Sequence, residues 1–208
     1  MTVPTRVVAG LAAAALLLAA LAGCGQESSG PAAARRTALN GDVYNAADVG
    51  FANKMIPHHA AALAMADLTR GRGFPPSSGS SPRPSRPLAR APEIEQMVDW
   101  LSDWGEPIPP TMRDHVNADA LGAGDTKVGG ADIPGMVTDE QLRALHSARG
   151  HEFETLWLQT MIEHHEGALE LASSEQADGA FGPAIQVAQA VQESEQAELD
   201  HMEDLLTR

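Results

Sequence analysis

Cysteine is almost absent from this sequence of 208 residues, in which Cys24 stands alone. A disulfide within the chain is therefore excluded, and so is a metal site built on several thiolates. Aromatic residues are also few, at 4% of the chain. No segment shows the alternation of apolar and polar residues that marks half-buried strands, so a β-sheet core is not expected.

Basic residues are scarce as well. The chain has 14 Lys and Arg against 28 Asp and Glu, which gives a formal net charge of −14. This excess of negative charge disfavours nucleic acids and anionic lipids as partners and favours cations. Beyond the N-terminal segment, no apolar run approaches the length that crosses a bilayer.

The N-terminal segment has the pattern of a lipoprotein signal peptide. Arg6 precedes an apolar run that is too short for a typical membrane span, and Leu21-Ala22-Gly23-Cys24 follows it. We therefore predict that residues 1–23 are a signal peptide and that Cys24 carries a lipid anchor on the extracytoplasmic face of the bacterial plasma membrane. The alternative, an ordinary secreted protein, would leave an exposed free thiol. Residues 24–44 are predicted to be a flexible tether.

Helical periodicity dominates the rest of the chain. It predicts helices from Ala46 to Thr69, from Glu93 to Trp104, from Asp139 to about Gln176 and from Ala184 to Leu206. Residues 71–92 are rich in Pro, Ser and Arg and are expected to form a structureless, solvated insert. The sequence therefore predicts an all-α four-helix bundle over residues 45–208, in which residues 45–105 and 138–208 form two pseudo-symmetric hairpins.

Side-chain placement on these helices is predicted from the same periodicity. Asn45 and Thr138 are expected as N-caps, the latter in a capping box with Gln141. Trp100 and Trp104 are expected in the core. The acidic residues of the last helix are expected on a solvated face; they are Glu193, Glu195, Glu198, Glu203 and Asp204.

Two helical segments that lie 106 residues apart carry the same pattern of an acid, an aromatic residue and Met-x-x-His-His. Self-similarity at a constant offset indicates one structural unit used twice. At about 100° per residue, the shared positions fall on one helix face, which should point into the bundle. The matched pairs are Asp48 and Glu154, Phe51 and Trp157, Met55 and Met161, His58 and His164, and His59 and His165; the second helices match at an offset of 105, which pairs Glu93 with Glu198 and Met97 with Met202.

The repeated unit has the chemistry of a soft-metal site. Thioether sulfur is a soft ligand and imidazole a borderline one, so Met and His without Cys select copper, above all Cu(I). Ag(I) would bind for the same reason, and another transition metal is an open alternative. The predicted ligands are His58, His59, His164, His165, Met55, Met161, Met97 and Met202; Met65, His146, His151 and His201 are more speculative additions.

These residues also have structural interpretations. A Met on an apolar helix face usually serves packing, and a lone His is usually hydrogen-bonded. Two identical His-His pairs favour a function, because burying four imidazoles costs on the order of several kcal/mol unless each is satisfied. Asp48 and Glu154 are either acceptors that orient the imidazoles or first-turn acids favoured by the helix dipole.

The doubled motif resembles the bacterial domain of unknown function 305. The resemblance rests on Asp48-x-x-Phe51-x-x-x-Met55-Ile56-x-His58-His59, on its second copy, and on Glu93-Ile94-x-x-Met97-x-x-Trp100-Leu101. It implies a ferritin-like four-helix bundle, export from the cytoplasm and, in some members, copper binding or copper tolerance. It implies no general enzymatic activity. The insert and Leu171, which replaces Met65 in the second copy, depart from a regular repeat and predict unequal half-sites.

Three functions compete on this evidence. The leading hypothesis is a lipoprotein that sequesters or transfers Cu(I) outside the membrane, without catalysis. The second is a di-iron or di-manganese oxidase, which needs Glu-x-x-His on two helices. Only Glu198-x-x-His201 fits, because Gln96 stands at the position that matches His201. The third is a structural or partner-binding lipoprotein without metal.

Overall fold

A computed structural model describes residues 34–72, 87–111 and 133–207. The predicted signal peptide and Cys24 lie outside the described residues. Four long helices and one short helix dominate the described part, which agrees with the predicted all-α four-helix bundle. The helices are α1 (Ala46–Leu68), α2 (Pro87–Trp104), α3 (Asp139–Ser147), α4 (Gly150–Asp178) and α5 (Gly182–Leu206), and β1 (Arg36–Thr37) pairs antiparallel with β2 (Val43–Tyr44).

Both predicted N-caps are confirmed. The Asn45 side chain accepts hydrogen bonds from the backbone of Ala47 and Asp48, and Asp48 accepts in return from the backbone N–H of Asn45. Thr138 and Gln141 form the same reciprocal arrangement at the start of α3. These capping boxes satisfy backbone donors that the first helical turn leaves unpaired.

The helix predicted from Asp139 to Gln176 is wrong as a single element, because the chain breaks between α3 and α4. Ala148 is extended, and Gly150 has a φ of 55°, in the left-handed region. The carbonyls that end α3 are satisfied by two arginines instead of by further helix. Arg72 donates to the carbonyls of Leu145 and Ala148, and Arg149 donates to those of His146, Ser147 and Ala148.

The predicted tether is also too long, because residues 34–44 are part of the folded domain. The two strands form a small hairpin with Gly41 at a φ of 94°. Tyr44 stacks on Trp104 with ring centroids 4.4 Å apart, and Arg36 pairs with Glu106 just after α2. The hairpin thus covers the end of the bundle where α2 terminates.

The predicted insert overlaps a helix. α2 begins at Pro87 rather than Glu93, with Pro92 inside its first half. Arg90, expected on a solvated loop, lies one helical turn before Glu93 and is only 4% exposed. Arg72, at the other edge of the insert, packs its guanidinium over the Phe153 ring.

The helices form two hairpins, α1 with α2 and α4 with α5, which meet chiefly where α1 packs on α4. Two apolar clusters fill the bundle. The first surrounds Trp100 and Trp104, both buried as predicted, and the second surrounds Trp157. Between the clusters each long helix contributes buried or half-buried polar side chains; these are His58 and His59, Arg90 and Glu93, His164 and His165, and Glu195 and Glu198. We call these eight residues the polar layer.

No helix in the described ranges combines the length and the apolar character that a membrane crossing needs.

Candidate metal centre

The polar layer lies where the two halves of the repeat meet. His58 from α1 and His164 from α4 stack face to face, with ring centroids 3.7 Å apart and an interplanar angle of 16°. Because these residues are equivalent in the repeat, the approximate twofold axis passes between their rings. All four predicted histidines are almost completely buried.

A backbone hydrogen bond fixes the tautomer of His164. Its Nδ1 lies 2.9 Å from the carbonyl oxygen of Gly135 and must donate to it, so the proton of the neutral ring is on Nδ1. Its Nε2 then carries the lone pair and has no hydrogen-bond partner among the described residues. A backbone carbonyl that accepts from one ring nitrogen and so sets the tautomer is typical of metal-binding histidines.

Two glycines make this hydrogen bond possible. Gly135 has a φ of 66°, and a Cβ there would lie 2.6 Å from the carbonyl oxygen of Glu163. A Cβ at Gly167 would overlap the carbonyl group of Pro134. The segment before α3 therefore approaches the backbone of α4 as closely as only glycine allows.

His59 has a carboxylate in the same role. Its Nε2 lies 2.8 Å from Oε2 of Glu93 and donates to it, which places the lone pair of a neutral ring on Nδ1. That Nδ1 has no partner among the described residues, and neither has Nε2 of His58. Three buried imidazole nitrogens in the layer are therefore unpaired.

Burial keeps the two stacked rings neutral. Desolvation lowers the pKa of His58 well below its usual value, with the neighbouring His164 and His59 acting in the same direction. Desolvation likewise lowers the pKa of His164 to about 3, helped by His165. Neutral imidazole is the form that binds metals, because a protonated nitrogen has no lone pair to give.

His165 is different, because carboxylates occupy its Nε2. This atom lies 2.9 Å from Glu198 Oε2 and 2.9 Å from Glu195 Oε2, while Nδ1 donates to the carbonyl of Met161. Arg90 Nη2 donates to Glu195 Oε1 at 2.7 Å. In the described part of the chain, His165, Glu195 and Glu198 form a group of histidine and acidic side chains that could hold a metal ion, because one ligand atom from each lies within 4.8 Å of the others.

The group of Arg90, His165, Glu195 and Glu198 is charged. Burial lowers the pKa of His165, but the hydrogen bonds with Glu195 and Glu198 outweigh it and leave the pKa raised. Burial raises the pKa of Glu195, yet His165 and Arg90 hold it well below its usual value. Burial also opposes the charge of Arg90, and the two glutamates more than compensate. Arg90 and protonated His165 thus balance two carboxylates.

The repeat pairs the residues of the layer one by one. The contact between His59 and Glu93 has its counterpart in the contact between His165 and Glu198, at 2.8 and 2.9 Å. Arg90 and Glu195 are themselves equivalent positions, 105 residues apart, and they bind each other. The two halves therefore present the same histidine and glutamate but opposite charges at the remaining position.

The predicted sulfur ligands are all buried, and they divide between the two apolar clusters. Met55 and Met97 belong to the first cluster, and Met161 and Met202 belong to the second. Met65 also lies in the second cluster, where its carbonyl accepts from the Trp157 indole. Each pair of thioethers thus lies in the cluster that borders one side of the polar layer.

The carboxylates expected to orient the imidazoles have other partners. Asp48 is an acid of the first helical turn, which is the second of the two interpretations offered by the sequence. Its carboxylate also accepts from the backbone N–H groups of Ala180 and Phe181. Glu154 lies 3.6 Å from the exposed His151. The orienting groups are instead Gly135 and Glu93. His146 is exposed and His201 half-buried.

Sequence reasoning missed Arg90 and misplaced Glu195 and Glu198, which were expected on a solvated face. A usable signal existed. Arg90 and Glu93 are three residues apart, as are Glu195 and Glu198, and the 105-residue offset pairs them. Both pairs stand one helical turn before a predicted methionine ligand, which places them on the inward face.

One metal ion can bind both His58 and His164 only if the stacked rings move. An imidazole binds a metal along a lone pair that lies in the ring plane, whereas the planes of His58 and His164 are nearly parallel and 3.7 Å apart at their centroids. One ion cannot lie in both planes. Binding by both Nε2 atoms therefore requires at least one ring to turn out of the stack.

Fold and site together define a helical bundle with a buried histidine and carboxylate layer on a pseudo-twofold axis. The chain belongs to the family Domain of unknown function (DUF305), whose profile matches residues 48–206. The comparison with curated proteins gives no match.

Several solved structures share the fold. A DUF305 protein from Streptomyces coelicolor, proposed to be secreted, is 28% identical over 77% of this chain and 92% of its own, with a TM-score of 0.60. A DUF305 fragment from Deinococcus radiodurans is 22% identical over 83% and 99%, with a TM-score of 0.62. CopM in its Cu(I)-bound form is 20% identical over 77% and 95%, with a TM-score of 0.54.

Proposed function

We propose that this protein is an extracytoplasmic metal-binding lipoprotein that holds Cu(I) in the polar layer, for sequestration or transfer and without catalysis. The observation that carries the proposal is the set of three buried, unpaired imidazole nitrogens, on His58, His59 and His164. Leaving a buried polar atom without a partner costs about 1–3 kcal/mol. Three such atoms in one layer favour a ligand role over packing.

The donor set fits a soft or borderline ion. Neutral imidazole binds copper and other transition metals, and thioether sulfur shifts the preference towards Cu(I) and Ag(I). Met55, Met97, Met161 and Met202 are buried in the two clusters beside the layer and would supply sulfur after local rearrangement. CopM, with the same fold, has structures in Cu(I)-, Cu(II)- and Ag-bound forms, which is compatible with this assignment.

His58, His164 and His59 are the primary ligands in this proposal, and His165 is a secondary one. His165 would have to lose a proton and give up contacts with Glu195 and Glu198 before its Nε2 could bind a metal. Glu93 would act on the metal through His59, by holding the ring with its Nδ1 lone pair inward. Attachment through Cys24 would keep the bundle at the outer face of the plasma membrane, where it would meet copper before the cytoplasm does.

The test is an anaerobic titration of the purified full-length protein with Cu(I) against a competing chelator. We expect the double variant His58→Ala/His164→Ala to lose at least 100-fold in affinity, because it removes the two central nitrogens. The matched control is His151→Ala, an exposed histidine on α4 that should leave the affinity unchanged. Equal affinity of the double variant and the wild type would refute the proposal.

The oxidase alternative predicts a different result from the same preparation. It requires the His165, Glu195 and Glu198 group to bind iron or manganese and to consume oxygen. Glu198 pairs with His165 rather than with His201, so the Glu-x-x-His pattern on α5 does not form one chelating unit. Oxygen consumption by iron-loaded protein that is lost in His165→Ala would favour the oxidase over copper binding.

A further inference from the structure

We infer that Arg90 determines metal selectivity, because its guanidinium occupies the position that a divalent cation would take beside His165, Glu195 and Glu198. The inference builds on the proposed function, since it concerns which metals the polar layer admits. It assigns a role to a residue outside the predicted ligand set.

The three residues around Arg90 form a donor set for a divalent metal. One imidazole nitrogen and two carboxylates, with ligand atoms within 4.8 Å of one another, are a set that Zn²⁺, Mn²⁺ or Cu²⁺ accepts. All three side chains are mostly buried, at 0%, 6% and 15% side-chain exposure for His165, Glu195 and Glu198. An ion bound there would be shielded from competing water.

A single guanidinium nitrogen already contacts every member of this group. Arg90 Nη2 lies 2.7 Å from Glu195 Oε1, 3.4 Å from Glu198 Oε2 and 3.4 Å from His165 Nε2. A metal bound to these atoms and the guanidinium cannot be present together. Repulsion between their charges would add to the overlap.

Displacing Arg90 is costly. The side chain is 5% exposed, and separating the partners of a buried ion pair strongly destabilises a protein. This cost reduces the affinity of the group for any divalent metal.

Cu(I) avoids this cost. The unpaired nitrogens of His58, His59 and His164 make no contact with Arg90 among the hydrogen bonds described. Binding there displaces no cation. The structure therefore assigns Arg90 as a fixed internal cation that blocks the carboxylate group while leaving the neutral nitrogens available.

The test replaces Arg90 with methionine, which keeps most of the length of the side chain and removes its charge. The purified full-length Arg90→Met protein should bind Zn²⁺ at least 100-fold more tightly than the wild type in chelator competition. Adding Glu195→Gln to this variant should abolish the gain. Arg72→Met is the matched control, because Arg72 is held by carbonyls at the end of α3, and it should gain no Zn²⁺ affinity.

Arg90→Met leaves two buried carboxylates against one cation and is expected to unfold more easily. Thermal unfolding with and without Zn²⁺ covers that case, because Zn²⁺ should raise the Tm of Arg90→Met, or restore its fold, and leave the wild type unchanged. Arg90→Lys, which keeps the charge, should show no such rescue. Absence of Zn²⁺ rescue together with unchanged affinity in Arg90→Met would overturn the inference.

The wild-type Cu(I) titration separates this inference from the proposed function. If the wild type fails to bind Cu(I) while Arg90→Met gains Zn²⁺, the proposed function fails and the role of Arg90 stands. If the wild type binds Cu(I) and Arg90→Met gains nothing, the role of Arg90 fails and the proposed function stands.

Discussion

The two halves of the polar layer differ in what surrounds the same histidine and glutamate. In the first half, Glu93 holds His59, and the other ring nitrogen of His59 is unpaired. In the second half, Glu198 holds His165, but Glu195 of the same half and Arg90 of the first half complete a closed network of four charges. His59 therefore keeps one nitrogen for a ligand, whereas both ring nitrogens of His165 have partners. Sequence equivalence therefore does not mean chemical equivalence at this site.

The largest expected effect comes from opening the closed network. Glu195→Gln leaves Arg90 and His165 with one carboxylate and should destabilise the protein by about 3–5 kcal/mol. Glu93→Gln, which removes the carboxylate that holds His59 in the first half, affects a side chain that is 22% exposed and should cost about 1 kcal/mol. Urea unfolding of both variants measures the difference.

The exposed acid Glu193, on the same helix as Glu195, supplies the control. Glu193→Gln should change the unfolding free energy by less than about 0.5 kcal/mol. Equal losses for Glu195→Gln and Glu93→Gln would contradict the contrast between the halves.

A second comparison concerns backbone packing around the two histidine pairs. Gly167 follows His165 by two residues, and its equivalent in the first half is Ala61. Gly167→Ala would push Pro134 and Gly135 away from α4 and weaken the hydrogen bond that fixes His164. We expect a loss of about 1–3 kcal/mol, although alanine is the better helix former by about 1 kcal/mol.

Gly50→Ala on α1 is the matched control for this change, because a Cβ there meets no atom within 4 Å. It should stabilise the protein by up to about 1 kcal/mol. Cu(I) affinity is the second measurement, and it should fall in Gly167→Ala and be unchanged in Gly50→Ala. If Gly167→Ala were as stable as the wild type, the close approach would have no energetic importance.

The repeat predicted much of this arrangement. The constant offset placed His58 and His164 in equivalent positions on inward faces, and a twofold axis then brings them together. The capping residues Asn45 and Thr138 were predictable because their hydrogen bonds are local in sequence.

The remaining features depend on contacts between distant segments. Arg90 follows a run of Pro and Ser and looks like loop, and only the glutamates of α5, about a hundred residues away, give it a buried partner. The break before Gly150 was equally hidden, because helical periodicity continues through it. Its cause is partly tertiary, since Arg72 reaches the carbonyls at the end of α3 alongside the local Arg149.

The last comparison concerns the ends of the bundle, where the two halves differ again. Asp48 at the start of α1 is completely buried and faces Glu175 of α4, whereas its equivalent Glu154 is partly exposed. Burial, together with the neighbouring Asp48 carboxylate, raises the pKa of Glu175 to about 9. Glu175 is therefore protonated at neutral pH.

This raised pKa predicts a pH dependence of stability. Between about pH 4.5 and pH 9 the folded protein keeps a proton on Glu175 that the unfolded chain releases, so the contribution of this group to stability falls as the pH rises. Glu175→Gln is neutral at every pH and cannot titrate. It should match the wild type near pH 4.5 and then gain up to about 1.4 kcal/mol relative to it for each pH unit between pH 4.5 and pH 8, measured as the difference in urea unfolding.

Taking that difference removes the contributions of the other carboxylates, including Glu195, whose lowered pKa acts in the opposite direction. Glu170→Gln, an exposed site on the same helix, should show no pH-dependent difference from the wild type. A Glu175→Gln variant that is less stable than the wild type at pH 8 would mean that Glu175 is ionised there. Asp48 would then face a second negative charge at the helix start, and the contrast with Glu154 would lose its energetic basis.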